Sequence, residues 1–108
     1  MKLIIGGKAS GKTEFANKEY EGYKIADNIN DLARNLFDNG MSYEKASEHI
    51  IKNYGEYVVI TDEVGNGIVP IDKTERDFRE WIGRIQVLLA KEADEVIRLI
   101  CGIGQRIK

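Results

Sequence analysis

Met1-Lys2-Leu3-Ile4-Ile5-Gly6-Gly7-Lys8-Ala9-Ser10-Gly11-Lys12-Thr13 opens the chain and decides how the fold is read. Met1 to Ile5 is a short apolar run without alternation, the pattern of a strand buried on both faces. It breaks at Gly6-Gly7. From about Gly11 to Glu19 the pattern turns helical, with Phe15 and Ala16 as its apolar side. Between strand and helix, Gly6 to Thr13 satisfies G-x-x-x-x-G-K-[ST]. The glycines let the loop curl until its backbone N–H groups converge on a phosphate at the positive end of the following helix. Lys12 then reaches the β- and γ-phosphates, and the Thr13 hydroxyl suits a Mg²⁺ ion. Gly6, Gly7, Lys8, Ala9, Ser10, Gly11, Lys12 and Thr13 are therefore read as a nucleotide-binding P-loop.

Further along, Tyr23 to Ala26 reads as a short second strand. Ile29, Leu32, Ala33, Leu36 and Phe37 form a helical stripe that stops at Asn39-Gly40. Ser42 is placed to cap a third helix carrying Ala46, Ile50, Ile51 and Tyr54, which ends at Gly55. Tyr57 to Thr61 is β-branched and aromatic and runs into acids and glycines, as a buried strand entering a loop does. Asp72 with Glu75 resembles a capping box at the head of the longest helix, whose stripe is Phe78, Trp81, Ile82, Ile85, Leu88 and Leu89. Val96 to Cys101 is read as the last strand, followed by Gly102-Ile103-Gly104 and a basic tail. This alternation predicts an α/β, P-loop NTPase-like three-layer fold with a small, mainly parallel sheet of four to five strands.

Composition sets the outer bounds. The 108 residues suit one domain, residues 1–108, and 43% hydrophobic with 31% charged content is that of a globular chain. Sixteen basic against eighteen acidic residues give a net charge of −2, which argues against a general nucleic-acid binder. No apolar run approaches the roughly 20 residues of a membrane span, and the glycines follow too soon for a secretory segment, so a cytoplasmic protein is expected. The single Cys101 excludes an internal disulfide framework and a cysteine-based zinc site.

A P-loop needs an acid at a neighbouring strand end to hold Mg²⁺ or its water. Two strand ends offer one: Asp27 after Tyr23 to Ala26, and Asp62-Glu63 after Tyr57 to Thr61. Asp27 also stands where it could cap the helix opening at Ile29. Carboxyl ends of parallel strands are where open α/β sheets bind ligands.

Asp62-Glu63-Val64-Gly65-Asn66-Gly67-Ile68-Val69-Pro70 resembles the Asn-Glu-Val-Gly-x-Gly-Ile-Val-Pro segment of the bifunctional adenosylcobinamide kinase/adenosylcobinamide-phosphate guanylyltransferase family. Phe78-Arg79-Glu80 with Gly83-Arg84 is similar to that family's Phe-Arg-Asp-x-x-Gly-Arg helix. Ala93 to Val96 and Gly102-Ile103 resemble its closing segment, and Ser10 fits its P-loop style. The resemblance implies an ATP- or GTP-dependent kinase acting on adenosylcobinamide with Mg²⁺, and a homo-oligomer. Lys12, Asp27 and Glu63 are then the expected catalytic residues, and Thr13, Asp27 and Asp62 the expected metal ligands. Arg79 and Arg84 are placed to reach an anionic group or to pair with Glu75 or Glu80 on a solvated helix face.

The chain also departs from the family pattern. The segment between the P-loop helix and the strand ending at Asp27 is missing, and there the family carries the histidine that becomes guanylylated. The single histidine here, His49, falls in the third helix. Loss of guanylyl transfer is the expectation. A competing expectation is a non-catalytic or weakly hydrolytic nucleotide-binding protein derived from the same family. Tyr20, Tyr23 and Tyr54 are the aromatic residues considered for holding a corrin ring.

Overall fold

The computed structural model describes residues 1–7, 10–63 and 72–108. Along them run β1 (Lys2–Gly6), α1 (Lys12–Glu19), β2 (Ile25–Ala26), α2 (Ile29–Asp38), α3 (Tyr43–Tyr54), β3 (Val58–Asp62), α4 (Lys73–Glu92), β4 (Glu95–Ile100) and β5 (Ile103–Arg106). The strands form one sheet in the order β2-β3-β1-β4-β5. Neighbours are parallel except β4 and β5, which are antiparallel. This is the three-layer α/β architecture expected from the alternation of strands and helices.

Two apolar layers fill the space on either side of the sheet. Ile4, Val58, Ile60 and Ile97 meet Ala16 of α1 on one face. Leu3, Val59 and Val96 meet Ile29, Ala33, Ile50, Ile85 and Leu89 of α2, α3 and α4 on the other. Leu3 and Ile4 are both fully buried, because β1 lies between β3 and β4 with helices above and below. That placement explains the unbroken apolar run. Burying each such side chain contributes roughly 1.5–3 kcal/mol.

The helix starts follow local chemistry. Ser42 Oγ accepts from the Lys45 N–H at 3.3 Å, and Asp72 Oδ1 accepts from the Thr74 and Glu75 N–H groups at 2.7 and 3.3 Å. The capping box at Asp72 is one-sided, however. The Glu75 carboxylate turns away to Arg34 of α2, so it joins two helices instead of closing its own turn. Trp81 Nε1 donates to Met41 O at 3.0 Å and ties α4 to the α2–α3 connection. α2 is capped in position by Asn28, without a side-chain bond, and not by Asp27.

The final hairpin differs most from the sequence reading. Cys101 and Gly102 both take positive φ, 50° and 75°, and form a two-residue turn that pairs Ile100 with Ile103. Both central residues of a type I′ turn need this conformation. β5 then forms the exposed edge of the sheet, so it carries none of the apolar alternation that marks a strand. The second strand is likewise shorter than read, covering Ile25–Ala26 only. Among the described residues, no helix is long and apolar enough to cross a membrane.

Candidate functional site

The connection from β1 leads toward β2, while that from β3 crosses back over β1 to β4. The strand order therefore diverges between β1 and β3, and an open α/β sheet binds ligands in the crevice above such a point. The P-loop stands there. Gly6 ends β1 with no room to spare: a Cβ on it would lie 2.7 Å from Ser10 Oγ and 2.9 Å from Leu99 O. The Ser10 N–H donates to Gly7 O at 3.2 Å, curling the loop. Gly11 enters α1 with φ 84° and supplies no side-chain cap, which leaves the first N–H groups of α1 for an anion. Lys8 and Ala9 lie outside the described residues.

Lys12 is nearly buried. Its ammonium donates to Gly7 O at 2.6 Å and pairs with Asp62 Oδ1 at 3.0 Å. Thr13 sits beside it, exposed in the first turn of α1. Asp62 is itself braced from behind. Its N–H donates to Asn30 Oδ1 at 3.4 Å, and its carbonyl accepts from Gln86 Nε2 at 2.6 Å.

Asp62 and Glu63, adjacent in sequence, serve opposite faces of the sheet. Pleating alternates the side chains. Asp62 faces the α1 side with Lys12, whereas Glu63 turns to the α4 side and pairs with Arg98 Nη2 at 2.8 Å. The Glu63 N–H donates to Gly6 O at 2.8 Å, which fastens this strand end to the start of the P-loop. Three buried side-chain atoms among the described residues lack a hydrogen-bond partner: Ser10 Oγ, Thr61 Oγ1 and Arg98 Nε. All three belong to the P-loop or to the central strands beside it. A buried polar atom left unpaired costs about 1–3 kcal/mol; Ser10 Oγ lies on the α1 side beside Gly6, and Thr61 and Arg98 lie on the α4 side of the sheet.

A family model described as cobinamide kinase / cobinamide phosphate guanyltransferase matches residues 25–107. The chain belongs to this family. Among curated relatives, it is 49% identical over 51 residues to the bifunctional adenosylcobalamin biosynthesis protein CobU of Salmonella typhimurium, and 47% identical over 51 residues to the protein of the same name from Escherichia coli. Each match takes in 47% of this chain and 28% of the relative. The matched stretch thus covers under a third of the length of these relatives. The family match begins after the P-loop, so the cradle stands on its motif and geometry. Residues 64–71, with most of the glycine-proline stretch that resembles the family, lie outside the described residues.

Other residues read from the sequence fall elsewhere in this family member. Asp27 is exposed at the end of β2, and β3 separates it from β1. At about 4.8 Å per strand it stands some 10 Å from the strand that carries the P-loop. His49 is exposed on α3, where Asn53 Nδ2 donates to its carbonyl at 2.8 Å. Arg84 pairs with Glu80 at 3.1 Å and lies over the Tyr43 ring, on the solvated side of α4. Tyr20 meets Tyr23 edge-on, and Tyr54 meets Tyr57 likewise. Tyr54, Tyr57 and Tyr23 lie at the amino ends of β2 and β3, away from the P-loop.

A hydroxyl at Thr13 and a carboxylate at Asp62, both on the Lys12 side of the sheet, are hard oxygen donors that suit Mg²⁺. No group of three or more histidines, cysteines or acids able to hold a metal is present among the described residues. The sequence reading passed over Arg98, Gln86 and the bracing role of Asn30. A charge inside the apolar run Val96-Ile97-Arg98-Leu99-Ile100 was the available signal for Arg98.

Proposed function

We propose that this chain binds ATP or GTP at Gly6–Thr13 and transfers the γ-phosphoryl group to the hydroxyl of adenosylcobinamide. The observation that carries the reading is the Lys12 ammonium, held by Gly7 O and 3.0 Å from Asp62 at the divergence point of the sheet, in a chain of the cobinamide kinase family. Lys12 would take the β- and γ-phosphates in place of Asp62. Asp62 and Thr13 would then hold Mg²⁺, which spreads the charge that develops on the phosphates. Glu63, on the far side of the strand end, would receive the acceptor hydroxyl. The bond from the γ-phosphorus to the bridging oxygen breaks, and a bond from the acceptor oxygen forms. The hydroxyl proton passes to the Glu63 carboxylate, and the nucleoside diphosphate leaves. Asn30, bonded to the Asp62 N–H, stands on the β2 side of this site. Catalysis of this kind is chiefly positioning and electrostatic stabilisation.

Guanylyl transfer stands outside the proposal. His49 lies on α3, across the sheet from α1. Self-association remains part of it, supported by exposed Ile100, Ile103 and Ile107 beside the open edge of β5. Sedimentation equilibrium with Ile103→Lys tests that part, and an unchanged mass would end it.

Mass spectrometry of adenosylcobinamide incubated with the protein, Mg²⁺ and ATP or GTP tests the reaction. A gain of one phosphate that Lys12→Ala abolishes is the expected result. Nucleotide bound tightly but no phosphate transferred would favour a binding protein. A gain of GMP would restore the second activity.

A further inference from the structure

β4 carries a single charge in the middle of its apolar run, at Arg98. The Arg98 side chain is 40% exposed, so its charge stays in contact with water while its Nε is covered. Ile5 of β1 is in register with Thr61 on one side and Arg98 on the other, so the three form one row across the central strands. Val96 packs in the core beneath α4, and alternation puts Arg98 on that same face. From there its Nη2 reaches Glu63 Oε1 at 2.8 Å, while its Nε stays buried without a partner.

We propose that Arg98 is a positioning residue that holds the Glu63 carboxylate at the acceptor side of the phosphate cradle. The inference rests on Glu63 receiving the acceptor hydroxyl, as proposed above. Two attachments fix Glu63. Its N–H is bonded to Gly6 O, so its main chain keeps a set distance from the P-loop. Its carboxylate is held by Arg98 through Oε1 at 2.8 Å. A planar guanidinium fixes the carboxylate plane in a way that a rotating ammonium does not. Without it, the partly exposed carboxylate is free to swing, and a small misplacement of a catalytic group lowers turnover steeply.

Steady-state phosphorylation of adenosylcobinamide by wild type, Arg98→Met, Glu63→Gln, the double variant and Arg98→Lys tests this, with nucleotide affinity measured alongside. Each single variant should lose kcat by at least about tenfold, the scale of a displaced general base. The double variant should be no slower than Glu63→Gln alone, because Arg98 acts only through Glu63. KM for the nucleotide should hold within about twofold, and Arg98→Lys should recover part of the lost kcat. Losses that multiply in the double variant, or a loss of nucleotide affinity with kcat kept, would overturn the inference alone. Should Arg98→Met fail to fold by far-UV circular dichroism, Arg98→Lys in the wild-type and Glu63→Gln backgrounds carries the same comparison. A wild-type chain that binds nucleotide yet phosphorylates no adenosylcobinamide overturns the role of Glu63, and the inference with it.

Discussion

Asp62 Oδ1 lies 3.0 Å from Lys12 Nζ, so the cation proposed here to take the phosphates is paired with the acid that stands beside it. Under the proposed function a nucleotide must displace that carboxylate. The displaced Asp62 is then left next to several phosphate charges, a repulsion that a divalent cation relieves.

Asp62→Asn should therefore reduce the dependence of nucleotide affinity on Mg²⁺. In the wild type, affinity should fall at least about tenfold when Mg²⁺ is chelated, one coordination partner being lost. In the variant the two affinities should converge. Titration of a fluorescent nucleotide with and without EDTA reads this. An unchanged ratio would remove Asp62 from the metal site. Lys12→Ala is the companion experiment, with nucleotide binding lost and the far-UV spectrum kept.

Gly6 should not tolerate a methyl group. Its Cβ would meet Ser10 Oγ at 2.7 Å and the Leu99 carbonyl at 2.9 Å, and the second neighbour is backbone that cannot swing aside. Gly6→Ala should cost about 1–3 kcal/mol, as overpacking does, and should weaken nucleotide binding by reshaping the loop. Urea unfolding and nucleotide titration give the two values. Normal stability in Gly6→Ala would contradict the packing described here.

The hairpin offers an opposite test. Cys101 holds φ 50° without the freedom of glycine, at a turn position where asparagine is preferred. Cys101→Asn should raise stability by up to about 1 kcal/mol, part of the penalty for an ordinary side chain in the left-handed region. Gly104→Ala should lower it, because a Cβ there would lie 2.5 Å from Phe15 Cζ of α1. Thermal unfolding of the two variants should move in opposite directions.

Acid should weaken the β1–β4 junction. The Lys2 ammonium and then the Met1 amino group hold the Asp94 carboxyl well below its ordinary value of 3.8. A depressed folded-state pKa contributes stability that is present above the unfolded value and lost as pH falls through the folded one. Stability should thus drop as pH falls below about 3.8, and Asp94→Asn should flatten that limb. The pair is solvent-exposed on the Asp94 side, so the effect should be small and shrink further in 1 M salt. Melting temperatures between neutral and strongly acidic pH, at low and high salt, measure it. An identical acid limb in the variant would refute the assignment.

Local chemistry is legible in a sequence wherever neighbours along the chain make the structure. The buried strand from Met1 to Ile5, the glycine loop with Lys12 and Thr13, the Ser42 and Asp72 caps and the stripe of α4 all belong to that class. So does the three-layer architecture, because apolar periodicity and helix–strand alternation are one-dimensional signals. β5 escaped because an exposed edge strand has no apolar face to alternate. The turn before it uses Cys101-Gly102, where Asn-Gly would have announced a hairpin.

Pairing across the sheet follows another rule. That Lys12 meets Asp62 and not Asp27 depends on strand order, which sets β3 beside β1 and β2 one strand further away. That Asp62 and Glu63 part to opposite faces depends on where the pleat stands when β3 ends. That Glu63 finds Arg98, 35 residues on, depends on the register which levels Thr61, Ile5 and Arg98. The sequence by itself determined a strand, a glycine loop of P-loop pattern and the acids that follow the strands. The tertiary structure alone decided which acid serves which partner, because a hydrogen bond is set by distance in space, and residue spacing along the chain does not encode that distance.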